Sequence, residues 1–149
     1  MKNYNFLKNQ AIMFIIMVCT GMAFNPMNVL AYRISDLYIS LTLFYGGLLM
    51  ASNMIWAHEI YHYFAMGHFS KTTFLIGICM SIFVTYGLLR NQLYVDDKQW
   101  LKRMISHHST ALTTSENIYK KTNDPNIKKL AHEIIETQER EIKLMKSLI

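Results

Sequence analysis

Between Arg33 and Arg90 the chain carries only three formal charges, Asp36, Glu59 and Lys71, and the residues separating them are apolar in long blocks. A chain of this kind has few ways to fold. Its backbone amides must be satisfied internally if the blocks lie in lipid, which leaves helices as the spanning element. Three runs are candidates: 11–31, 37–57 and 72–89. The second, "LYISLTLFYGGLLMASNMIWA", is uncharged and long enough to cross a hydrocarbon core roughly 30 Å thick, and the third is just long enough. The first is broken by Asn25-Pro26. With Lys2 and Lys8 before it and the small-residue site Val29-Leu30-Ala31 after it, it reads either as a cleavable signal or as a retained first helix. The expectation is a membrane region over 1–90 with two to three transmembrane helices.

From Asn91 onward the composition reverses, with ten basic and eight acidic residues. The net charge of +5 is spread thinly, with no arginine cluster or basic face, so no nucleic acid partner is expected. Cys19 and Cys79 both lie inside apolar runs and imply no disulfide framework. The tail, 91–149, predicts two helices. Asp96 caps the first, with Gln99 as the reciprocal member of a capping box and Val95 and Trp100 at staple positions. That helix runs to about Lys121. Asp124 as N-cap and Pro125 at the first helical position start the second. The apolar stripes run through Leu101, Met104, Ile105, His108, Ala111, Leu112, Ser115, Ile118 and Tyr119, and through Ile127, Leu130, Ala131, Ile134, Gln138, Ile142, Met145 and Ile149. The fold class is therefore all-α: membrane helices followed by a soluble antiparallel helical hairpin, half of a four-helix bundle. One hairpin buries only one seam, so pairing into a homodimer or packing on the membrane spans is expected.

Two histidine groups carry the candidate chemistry. His58, Glu59 and His62 form H-E-x-x-H, with His68 six residues on. On a helix the two histidines share a face one turn apart, with a glutamate beside them to activate a metal-bound water. A zinc peptidase needs more. It must hold an extended substrate in a cleft, and no segment outside the apolar runs reads as a strand. The three-histidine pattern also wants glycine where Ala65 stands, although Gly67 can supply the turn. Asp36, the other carboxylate near a span, is placed by this reading at the far end of the same helix, roughly 30 Å away. Trp56, Tyr61, Tyr63 and Phe64 instead suit an interfacial aromatic belt in which histidines are cheaply solvated. A non-enzymatic metal site at His58, His62 and His68 is the second reading, and the peptidase the third.

The other group is in the tail. Met104 precedes His107 and His108 by one helical turn. Folding back at Asp124 sets Glu141 opposite His108, Met145 opposite Met104, and Gln138 opposite Ala111 and Leu112. Thioether and imidazole together suit Cu(I) or Ag(I). The competing reading is that His108 and Met145 are core residues and His107 a solvated neighbour, the ordinary fate of a methionine stripe.

The same residues resemble the CopM-like domain of unknown function, a family of ferritin-like helical hairpins with M-x-x-H-H on the first helix, a D-P break, and Q-x-x-E-I-x-x-M on the second. Met104, His107, His108, Asp124-Pro125, Gln138, Glu141, Ile142 and Met145 stand at those positions. Ser106 departs from a frequent proline, which bears on the bend of the helix. The resemblance implies handling of copper or silver outside the cytoplasm by a membrane-anchored, non-catalytic protein, and Glu141 as a ligand or as an orienter of an imidazole. The rival readings are a structural or dimerising module without metal, and the peptidase.

Overall fold

The computed structural model describes the backbone from Lys2 to Ile149 and side chains from Lys8 onward, so Lys2, read above as part of a basic flank, lies outside the residues with described side chains. Helices α1 (Lys2–Ala23), α2 (Pro26–Val29), α3 (Leu41–Met66), α4 (Lys71–Ile82), α5 (Asp97–Lys121) and α6 (Pro125–Ser147) follow in order, with no strand among the described residues. A 3-10 turn, Ile34–Asp36, precedes α3, and a π-helical segment, Phe83–Arg90, continues α4.

The chain divides into two compact units, one of 1–23 with 42–94 and one of 24–41 with 95–149. By length and composition Lys8–Val29 and Lys71–Arg90 could cross a membrane. Both are largely uncovered by the rest of the protein. The first apolar run breaks where the residues require it. Asn25 accepts the Met27 amide at 2.8 Å and Pro26 sits at the start of α2, so α1 ends at Ala23 instead of continuing to residue 31. The second run begins later and ends later than 37–57. α3 holds 26 residues, but Ser52, Asn53, His58, Glu59 and His62 dilute its hydropathy, which falls below that of the two candidate spans among the described residues.

Close helix contacts in this unit pass through glycine. A Cβ on Gly47 would stand 2.8 Å from the Val18 carbonyl oxygen, and one on Gly77 2.8 Å from the Trp56 amide nitrogen. Both neighbours are backbone and cannot swing aside. Gly77→Leu is expected to force α3 and α4 apart at a cost of about 1–3 kcal/mol, read as earlier thermal unfolding in detergent, whereas Gly46→Ala, with nothing nearby, should leave it within error.

The second unit is the hairpin with a strap across it. Asp96 accepts the Gln99 amide at 2.7 Å, and Asp124 accepts those of Asn126 and Ile127 at 2.8 and 3.3 Å, so both caps form as their residues predict. The capping box is only half made, because the Gln99 side chain accepts the Leu41 amide at 2.9 Å instead of returning to Asp96. Trp100, at the staple position, is half exposed. Leu101, Ile105 and Leu112 pack against Ile142 and Met145, with Tyr38, Met104 and Ile135 at the edge. Of the second predicted stripe, Ala131, Ile142 and Met145 are buried, while Ile127, Leu130 and Ile149 are exposed.

Asp36 is not at the end of a membrane helix. It lies in the 3-10 turn of the strap and is completely buried on the hairpin. Lys146 donates to Oδ1 at 2.5 Å and Ser109 to Oδ2 at 2.7 Å, while the Ser106 hydroxyl donates to its carbonyl at 2.9 Å. The Tyr32 amide donates to Ser109 at 2.8 Å, and Arg33 pairs with Glu139. The serines of α5 let a coil segment come within hydrogen-bonding distance of a helix face. α5 runs unbroken through Ser106, whose hydroxyl holds the strap.

Candidate functional site

The hairpin brings His108 and Glu141 together. Opposing registers on α5 and α6 leave Nδ1 of His108 3.1 Å from Oε2 of Glu141, with the His108 side chain 13% exposed and the glutamate 42%. The contact has ion-pair distance without hydrogen-bond alignment, so Nδ1 is buried and otherwise unpartnered. A buried nitrogen in that state is costly unless something engages it. Desolvation dominates the imidazole's titration and lowers its pKa, with the charge of nearby His107 acting the same way; Glu141 opposes both. The ring is therefore held neutral to lower pH than an ordinary histidine, the form in which imidazole coordinates metal.

The other tail residues fall around this pair unevenly. His107 is exposed, its ring centroid 5.8 Å from that of His108. Met104 is half-buried and Met145 is buried, both in the apolar cluster of Leu101, Ile105, Leu112 and Ile142. Gln138 is half-buried on α6. The predicted constellation thus separates into an imidazole–carboxylate pair at the seam's edge and two thioethers that belong to the core. Among the described residues no group of three or more His, Cys, Asp or Glu side chains is disposed to hold a metal ion. The donors that fit a soft ion are the imidazoles and the adjoining thioethers, the latter being the softer set.

The H-E-x-x-H group resolves differently. His58 and His62 lie one turn apart on α3 with ring centroids 4.2 Å apart. Glu59 between them is buried, and its Oε2 accepts the backbone amide of Ser70 at 3.0 Å. Ser70 is the N-cap of α4, so Glu59 is committed to the α3–α4 connection. Helix α3 passes through Ala65 and stops at Met66, and Gly67 makes the turn at φ +65°. His68 follows it and is exposed. The role of Glu59 was not legible in the motif, because its partner belongs to the next helix.

Residues 88–149 match the Domain of unknown function (DUF305). The chain is also similar to "Uncharacterized protein L153" of Acanthamoeba polyphaga mimivirus, 42% identical over 125 residues that make up 84% of this chain and 81% of that protein. No solved structure matches.

Proposed function

We propose, for a chain that belongs to the family of the mimiviral protein L153 and whose residues 88–149 match DUF305, that it is a membrane-anchored, non-catalytic binder of a soft transition-metal ion, copper or silver, carried as cargo. His108, His107, Met104 and Met145 are the donors, with Glu141 as a further donor or as the group that orients the His108 ring. The observation that carries this reading is the largely buried His108 whose Nδ1 stands 3.1 Å from Oε2 of Glu141. Metal-ligating histidines commonly turn their second nitrogen to a carboxylate, which fixes the ring and raises its basicity. That arrangement leaves Nε2 as the nitrogen for the ion. The two apolar helices and α3 together make a three-span anchor, with His58, His62 and His68 among the aromatic residues at the headgroup level and the hairpin on the extracytoplasmic side.

Competition titration of the detergent-solubilised protein with Ag(I) tests the assignment. His107→Ala/His108→Ala is expected to weaken binding by more than about tenfold. Equal affinity in parent and variant would end it. Titration of the parent in the presence of equimolar peptide substrate should produce no cleavage product, and hydrolysis lost on Glu59→Ala would restore the peptidase reading.

A further inference from the structure

Among the described residues of the second unit, the strap covers one broad side of the hairpin. The strap engages Ser106, Ser109 and Thr110 on α5 and Glu139 and Lys146 on α6. At roughly 100° per residue, Trp100, His107 and Ile118 fall on the opposite side of α5, and Leu130, Glu141, Leu144 and Leu148 on the opposite side of α6. In an antiparallel pair these two arcs form one continuous face. Its large apolar residues are exposed: Trp100 52%, Ile118 43%, Leu130 56%, Leu144 60% and Leu148 63%. Glu141 lies on this face beside His108, and Asp97 at the start of α5 falls on it as well.

We infer that this open face is where a second copy of the chain docks, setting its own His107, His108 and Glu141 beside those of the first. The inference rests on the metal-binding reading and names the partner that completes its donor set. A single hairpin buries a small core, with five buried side chains in its apolar cluster, and a unit of that size gains stability chiefly by covering more apolar surface. A two-fold pairing is isologous, so a patch must complement itself. This one does, since it offers both carboxylates and imidazoles amid exposed apolar residues. An anionic lipid surface is a poor match for a face that carries the carboxylates of Asp97 and Glu141. The donor count points the same way. Among the described residues one chain has no cluster of three His, Cys, Asp or Glu, whereas two copies present four histidines and two carboxylates in the core of a four-helix bundle, the place where such bundles build their metal sites from facing helices.

The test uses the full chain in detergent micelles, with Leu144→Glu and, separately, Ile118→Glu. Both positions are exposed, and unchanged helicity by circular dichroism verifies folding. Sedimentation should show the parent as a dimer and both variants as monomers. Ag(I) affinity should fall about tenfold or more in the monomeric variants although every donor is retained. A monomeric parent, a dimer that survives both substitutions, or monomeric variants that bind Ag(I) as tightly as the parent would each overturn the inference. A parent whose dimer is broken by Leu144→Glu but which takes up no Ag(I) upholds the pairing and removes the metal reading, so the two fail separately.

Discussion

Lys146→Met is expected to destabilise the hairpin unit by about 3–5 kcal/mol, the usual cost of removing one partner of a buried ion pair. Asp36 has no solvent exposure, and its carboxylate is held by the Lys146 ammonium at 2.5 Å and the Ser109 hydroxyl at 2.7 Å. Methionine keeps most of the aliphatic stem of Lys146 and removes only the charge. The carboxylate is then left fully buried, with Ser109 its remaining hydrogen-bond donor among the described residues. Asp36→Asn should cost less, because the Lys146 side chain is 30% exposed and can turn its ammonium to water. The double variant Asp36→Asn/Lys146→Met should recover much of the single-variant loss, since no ion then remains unpaired. Thermal unfolding of the full chain, followed by far-ultraviolet circular dichroism, measures all three. A double variant as unstable as Lys146→Met alone would show that the pair is not the origin of the effect. The neighbouring Arg33–Glu139 pair is a useful contrast. Its side chains are 42% and 29% exposed, and Arg33→Ala should cost no more than about 1 kcal/mol.

What the residues disclosed in advance follows the range of the interactions involved. Asp96 and Asp124 name their helices because a cap is satisfied within three residues. The seam of Leu101, Ile105 and Leu112 is legible for the same reason, periodicity being local. Asp36 was not legible. Its partner is Lys146, 110 positions away, and nothing between Arg33 and Leu41 separates a strap from the start of a membrane helix by composition alone. Gln99 shows how a local signature can be diverted: the residue type that completes a capping box also suits a neighbouring amide, and the Leu41 amide takes it. The second stripe held for Ala131, Ile142 and Met145 and failed at Ile127, Leu130 and Ile149. Ile127 and Leu130 repeat at helical spacing, yet α6 turns Ala131, Ile142 and Met145 to the seam and leaves Leu130 on the open face. Of the candidate site, the juxtaposition of His108 with Glu141 followed from counting back from the Asp124 corner. The placement of Met145 within the core did not, since periodicity alone cannot tell a buried thioether from one presented to an ion.

Ag(I) affinity is expected to hold to lower pH than a solvent-exposed histidine pair would allow, and then to fall about tenfold per pH unit for each imidazole proton displaced. The sign follows from His108. Burial lowers its pKa below the ordinary value near 6.5, so at mildly acidic pH the ring is still neutral and needs no deprotonation before binding. The same shift bears on stability. The unfolded chain takes up this proton more readily than the folded one, so the His108 contribution is complete above about pH 6.5 and is lost as pH falls toward the lowered folded value. Glu141→Gln separates the roles of the carboxylate. Glu141 is the group that raises the His108 pKa against desolvation, so its neutralisation should move the acid fall-off to still lower pH. If it also orients or joins the ligand set, affinity at pH 7.5 should drop about 10–100-fold at the same time. A fall-off that moves without loss of neutral-pH affinity would make Glu141 an electrostatic neighbour only. Loss of affinity with an upward shift would contradict the arrangement, because no other described group near the His108 ring acts to raise its pKa.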